Sequence, residues 1–296
     1  MNLENFKIIL CPTADLAKLE KPIATVEAEY GDICIEGELL TLAHHGSRSN
    51  NPAPCNALVE PLKEGTIVVS HLDLDTIGGI MAITGDKPND VKFWEAAEYI
   101  DVNGIHHMYK FEEDIQNKLN ATYAWADNIP RVRYTETTDV TQLVKDYYEA
   151  INIITNENHP EHKKYIETGT KWAIETSNEV ESRCILDSEN VRAFKTDGVF
   201  CNSAYYSKEQ EAIIPCIVSF NEKFKSITVS FEDGGKECSA RELVQELWGP
   251  EAGGRDGIAG SPRGVDMTDE DLKNIIDLCM EKVPSYYNKN DNGIGL

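Results

Sequence analysis

The sequence predicts an α/β protein: a mostly parallel-sheet N-terminal domain with a helical linker region, followed by a smaller α+β C-terminal domain. Three observations predict it. Gly65-Thr66-Ile67-Val68-Val69-Ser70 reads as a buried strand, and it passes through a short polar stretch into a helix-competent segment, Thr76 to Ile83. Residues 111–183 are predominantly helical in pattern. After about residue 184 the pattern changes to short strands closed by a glycine-rich stretch and a last helix.

Taken in order, residues 1–60 hold extended runs at Lys7 to Cys11, Pro22 to Glu27 and Asp32 to Leu42. The last run ends in a polar loop of turn formers, Ala43 to Pro52, that contains His44-His45-Gly46-Ser47. The Gly65–Ser70 strand leads into His71-Leu72-Asp73-Leu74-Asp75, and ligands of α/β folds gather at such strand C-termini. Lys87 to Tyr109 is helical in part, with Phe93, Trp94, Ala97 and Ile100 on one side. Helices are expected over Glu112 to Ala126, Val140 to Ile154 and Pro160 to Arg183, the last two separated by Asn156-Glu157-Asn158-His159-Pro160. Strands follow at Val191 to Phe194, Ile213 to Phe220 and Ser226 to Phe231, then a helix from the N-cap Ser239 to Trp248. Thr268-Asp269-Glu270-Asp271 resembles a capping box and opens the final helix. The domain boundary is therefore expected between residues 185 and 186.

Composition narrows the function. The 296 residues are 41% hydrophobic and 27% charged, in the range of a folded globular chain. Lys and Arg number 28 against 51 Asp and Glu, a formal charge of −23. That field repels long nucleic acids, which bind through phosphate neutralisation, so a phosphate substrate is expected to be small and met locally. No stretch approaches the roughly 20 apolar residues of a membrane span. The opening Met1 to Lys7 lacks a basic leader before an apolar core, so a cytoplasmic location is expected. The eight cysteines are scattered without a Cys-x-x-Cys pair, as in reduced thiols.

Two constellations carry chemistry. In His71-x-Asp73-x-Asp75, alternate residues of an extended strand tip face one space, and imidazole with carboxylates suits Mn, Fe, Zn or Mg. Of seven histidines, five fall within 44–107: His44, His45, His71, His106 and His107. Each adjoins a break rich in Gly, Asn or Asp, as ligand loops do. Asp101 precedes His106-His107 and is a candidate bridging carboxylate. The metal ligands expected are thus His71, Asp73, Asp75, Asp101, His44 and His106, with Asp73, Asp75, His45 and His107 in catalytic roles. The second constellation runs from Gly249 to Gly264, with glycines at 249, 253, 254, 257, 260 and 264. Free backbone N–H groups at Gly253 and Gly254, the forked donors of Arg255 and Arg263 and the hydroxyl of Ser261 make a substrate-binding anion cradle. Its spacing is not that of a Walker loop or a dinucleotide turn.

Together these segments resemble the DHH phosphoesterase superfamily. His71-x-Asp73-x-Asp75 after a buried strand looks like its first metal motif. The order of strand Ile227 to Phe231, turn, helix Ala240 to Trp248, Gly253-Gly254-Arg255 and Ala259-Gly260-Ser261 looks like the DHHA1 domain that usually follows. The resemblance implies two divalent ions, with manganese foremost and magnesium or zinc as alternatives. It also implies a small phosphorylated or short oligonucleotide substrate, with a homodimer compatible. This sequence departs from the pattern in motif order, since Ala43-His44-His45 precedes the first motif and lacks the Asp. Two alternatives stand beside it. Ser70 to Gly79 with His44-His45-Gly46-Ser47 also looks like a metallo-β-lactamase-like hydrolase, and the displaced motif order is compatible with a non-catalytic nucleotide or phosphate-binding protein.

Overall fold

The structure is a computed structural model. It describes residues 2–30, 33–45, 48, 50–129, 136–197 and 202–284. Gly46 and Ser47, which contribute to the metallo-β-lactamase-like pattern, lie outside the described residues.

The chain is a mixed α/β protein with a parallel-strand sheet at the N-terminus and a separate sheet-rich C-terminal region. It divides into two compact units. The first comprises Met1–Gly104 with Met108–Ile174, and the second comprises Glu175–Leu296 with the tripeptide Ile105–His107. The division falls inside one continuous helix rather than at residues 185/186, because that helix carries the chain out of the first unit without a break.

In the first unit the strands are β1 (Phe6–Leu10), β2 (Ala24–Val26), β3 (Glu29–Tyr30), β4 (Ile33–Cys34), β5 (Leu40–Leu42), β6 (Gly65–Val69) and β7 (Thr138–Asp139). The helices are α1 (Ala14–Leu19), α2 (Leu74–Thr84), α3 (Val91–Asn103), α4 (Glu113–Asp127), α5 (Thr141–Thr155) and α6 (His162–Ser182), the last crossing into the second unit. The main sheet runs β5-β2-β6-β1-β7, parallel except for the β7 edge. Its central strand β6 is apolar because Ile67, Val68 and Val69 are wholly buried, as expected of a strand covered on both faces.

Every residue of α2 is buried, so this helix has no solvent face and shows no clean amphipathic period. Gly78 and Gly79 allow it to lie against the single turn Pro54–Asn56. A Cβ at Gly78 would stand 2.5 Å from the Cβ of Cys55 and 2.7 Å from the ring of Trp94. Gly78→Ala gains ~1 kcal/mol of helix propensity, but overpacking a site this tight costs up to about 3 kcal/mol. The variant is expected to melt several degrees below wild type; a melting temperature equal to or above it would show that the glycine is not there for packing.

The second unit adds β8 (Cys184–Asp187), β9 (Val191–Thr196), β10 (Tyr206–Ser207), β11 (Ala212–Ile213), β12 (Cys216–Asn221), β13 (Ser226–Phe231), β14 (Gly253–Gly254) and β15 (Ile258–Gly260), with helices α7 (Ala240–Trp248) and α8 (Asp269–Lys282). Its sheet runs β14-β15-β13-β12-β9-β8, with β9 and β12 parallel and the other pairs antiparallel. The apolar faces of α7 and α8, including Leu243, Val244, Leu272 and Ile275, close over Val218, Ile227 and Val229. Ser239 caps α7, and Thr268 with Asp271 forms a reciprocal capping box at α8. No helix among the described residues is long and apolar enough to cross a membrane. The seven described cysteines are free thiols.

Candidate metal centre

Strands β5, β2 and β6 are adjacent and parallel, so the residues that follow them emerge on one edge of the sheet. Glu27 follows β2 directly, His44 and His45 lie just past β5, and Ser70 and His71 lie just past β6. The N-terminus of α2 brings Asp73 and Asp75 to the same edge, and the last turn of α3 brings Asp101. All of these residues belong to the first unit.

Glu27 is 1% exposed and joins the others. Its Oε1 lies 2.9 Å from His44 Nε2 and 3.0 Å from His45 Nε2, while its Oε2 lies 3.0 Å from His71 Nε2. Thr76 Oγ1 donates to Oε2 at 3.2 Å. Three overlapping groups of ligand atoms result: Glu27, His44 and His45; Glu27, His71 and Asp73; and His44, Asp75 and Asp101. Within each group the atoms lie within 4.8 Å of one another. His44 Nε2 is 3.2 Å from Asp101 Oδ2 and 3.5 Å from Asp75 Oδ2, and His71 Nε2 is 3.1 Å from Asp73 Oδ2.

The structure brings His44, His45, His71, Asp73, Asp75 and Asp101 together, but not by the strand alternation expected from the sequence. β6 ends at Val69; Asp73 is the N-cap of α2, its Oδ1 accepting the Thr76 amide at 2.8 Å, and Asp75 sits in the first helical turn. Asp73 and Asp75 therefore enter different groups, which Glu27 and His44 connect. Asp75 is further fixed by the Cys55 amide, which donates to its Oδ1 at 2.8 Å.

Glu27 itself was not distinguishable in the sequence, being one acid among 51. The available signal is positional: an acid immediately after Ala24-Thr25-Val26, as His71 follows Ile67-Val68-Val69 and Ser70. Its backbone is also unusual, with φ +47 in the left-handed region. Ser70 Oγ donates to the Glu27 carbonyl and lies 2.9 Å from His71 Nδ1. With its own proton used there, the hydroxyl accepts from Nδ1–H, which leaves Nε2 of a neutral His71 as a bare lone pair.

The charges perturb one another strongly. Burial opposes ionisation of Glu27, yet contacts with His44 and His71 outweigh it and hold the carboxyl well below the usual range. The Asp101 carboxylate, followed by Glu27, pushes His44 up to about 10. Burial works against protonation of His71, but Asp73 and Glu27 raise it to about 11. Burial, then the charge of Glu27, raises Asp75 to about 7.

His106 and His107 do not join these groups. They fall in the second unit, where both Nε2 atoms face Glu232 Oε1. The glycine-rich run is likewise not an open cradle. Gly253–Gly254 and Ile258–Gly260 pair as a hairpin against β13, because small residues let the chain continue the sheet edge. Arg255 N donates to Ile258 O at 2.7 Å, and Ser261 Oγ accepts the Ile227 amide at 3.1 Å. Arg255 and Arg263 are exposed and their side chains have no ion-pair partner among the described residues.

No family model matches the chain, and no curated protein sequence matches it. Among solved structures it is similar to the pGpG-specific phosphodiesterase PggH from Vibrio cholerae, at 12% identity over 90% of this chain and 87% of that one, with a TM-score of 0.46. It is also similar to an uncharacterized protein from Helicobacter pylori G27, at 13% identity over 82% of this chain and 74% of that one, with a TM-score of 0.25. Scores this low carry no functional argument.

Proposed function

We propose that the chain is a metal-dependent phosphoester hydrolase acting on a small phosphorylated or short oligonucleotide substrate through two divalent cations, with manganese foremost. One observation carries this reading. Glu27 Oε1, His44 Nε2 and Asp75 Oδ2 are buried polar atoms without a hydrogen bond, although His44 Nε2 stands 2.9 Å and 3.5 Å from the two carboxylate oxygens. Such orphaned atoms are costly unless something charged lies among them. Four carboxylates and three imidazoles suit a hard or borderline divalent cation.

Glu27, His71 and Asp73 would hold one cation, and His44, Asp75 and Asp101 the other, with Glu27 reaching both groups. Bound there, divalent cations supply Lewis acidity and a water acidic enough to attack phosphorus near neutral pH. Ser70 orients His71 so that Nε2 faces the site. His45, 55% exposed with its Nε2 3.0 Å from Glu27 Oε1, would give a proton to the departing oxygen. The ligand set is richer in carboxylate than in imidazole, which favours this reading over a zinc enzyme of metallo-β-lactamase type.

Hydrolysis of bis-p-nitrophenyl phosphate and of a linear dinucleotide, followed after chelation and after addition of Mn2+, tests the proposal. Turnover is expected to vanish with chelation and to return with Mn2+. Absence of turnover with Mn2+, Mg2+ and Zn2+, alongside tight nucleotide binding, would instead make the chain a binding protein.

A further inference from the structure

The second unit carries another cluster of candidate metal ligands, sharing no residue with the first. His106 and His107 are consecutive residues of a short 3-10 segment, Ile105–Lys110, and both are buried. Consecutive side chains ordinarily diverge, yet these two rings lie 4.4 Å apart between centroids and aim both Nε2 atoms at one carboxylate oxygen. Glu232 Oε1 stands 2.8 Å from His107 Nε2 and 3.5 Å from His106 Nε2. Glu232 lies just past β13, and the tripeptide Ile105–His107 belongs to the same compact unit, so the three ligands share one body.

Of the three residues, His106 is poorly satisfied by this arrangement. His106 Nε2 is at the outer limit of a hydrogen bond, and its Nδ1 is buried with no partner. The ring packs 4.9 Å from that of Tyr205, whose hydroxyl donates to Ser230 Oγ at 2.8 Å and so is directed elsewhere. A buried imidazole with both nitrogens so weakly engaged is costly. The three ligand atoms lie within 4.8 Å of one another. Tetrahedral zinc with bonds near 2.0–2.1 Å separates its ligands by roughly 3.3 Å, between the 2.8 and 3.5 Å that part Glu232 Oε1 from the two imidazoles.

We infer that His106, His107 and Glu232 form a mononuclear zinc-type site in the second unit. Two histidines and one glutamate are a recognised zinc ligand set. The site shares no ligand with the Glu27 groups.

Zinc alone, titrated into the full chelated chain and counted by equilibrium dialysis and elemental analysis, tests the inference. Wild type is expected to hold one tight equivalent more than Glu232→Gln or His107→Gln. In both variants affinity at that site should fall by more than the roughly 10–100-fold that losing a group behind a ligand costs. Equal stoichiometry and affinity in wild type and both variants would overturn it. Co2+ added to the double variant Glu27→Gln/Asp75→Asn, which removes a ligand from each of the three groups of the first unit, provides a measurement that does not depend on those variants folding. An intense four-coordinate visible band that Zn2+ displaces supports the site, and its absence sinks it. Failure of the hydrolase reading would appear in turnover and in the Glu27 groups, and would leave this band unchanged.

Discussion

Glu27→Gln is expected to abolish turnover while leaving the fold intact. The substitution keeps the size of the side chain and removes the charge that faces His44, His45 and His71. Metal-derived charge stabilisation is worth several kcal/mol, so kcat should drop by ~10³-fold or more. Because Glu27 is common to two of the three ligand groups, Mn2+ stoichiometry should fall together with the rate. The far-ultraviolet circular dichroism of the variant should match wild type, since no backbone hydrogen bond of the sheet depends on the side chain. Retention of more than a tenth of the wild-type kcat at saturating Mn2+ would remove Glu27 from the machinery and leave the first unit without its connecting residue.

The second large effect is a metal-induced stabilisation that grows with pH. His44 is pushed up to about 10 and His71 to about 11, so in the metal-free chain both rings carry protons at pH 7. Groups raised above their unfolded values contribute stability that is complete below about pH 6.5 and is lost as pH climbs through the folded values. Asp75, raised to about 7, acts in the same sense: its neutral form is favoured by folding, and the penalty for its charge develops between about pH 4 and 7. Only Glu27, held low, works oppositely, and its contribution disappears in acid. A divalent cation must displace the protons on the two imidazoles, so affinity is expected to rise with pH, with a slope approaching about 2 log units per pH unit between pH 7 and 10. At a thousandfold excess over Kd the stabilisation is about 4 kcal/mol. At ~2–4 °C per kcal/mol that amounts to roughly 8–16 °C in Tm. Thermal melts with Mn2+ at pH 6.0 and 8.5 should show the larger shift at the higher pH, and calorimetry in buffers of different ionisation enthalpy should detect proton release. A shift independent of pH, or none, would argue that these histidines are not ligands.

Much of this architecture was legible before any coordinates. The helices α4, α5 and α6 announce themselves by their spacing, and the α8 capping box stands in four consecutive letters. His71, Asp73 and Asp75 were visible because they crowd within five residues, and His44-His45 because they are a pair beside a turn. What the sequence concealed has a physical cause in each instance. Glu27 acquires its meaning only from contacts 17, 18 and 44 residues away, which no local pattern encodes. Glu232 is separated from His106 by 126 positions, and that pairing withdrew the second histidine pair from the first centre. The glycine-rich run looked like free backbone because composition reports flexibility, whereas its fate was decided by the vacant edge of β13. Asp73 looked like a strand residue because the end of β6 depends on where α2 begins, and α2 hides its period by being buried on every side.

One consequence follows from the side-by-side arrangement of β5, β2 and β6. Each tip presents side chains from the residues just past the strand end. A backbone rewired to visit the same strands in another succession would offer an identical ring of donors. Relatedness among proteins built this way is therefore to be sought in which tips are neighbours, not in which letters come first.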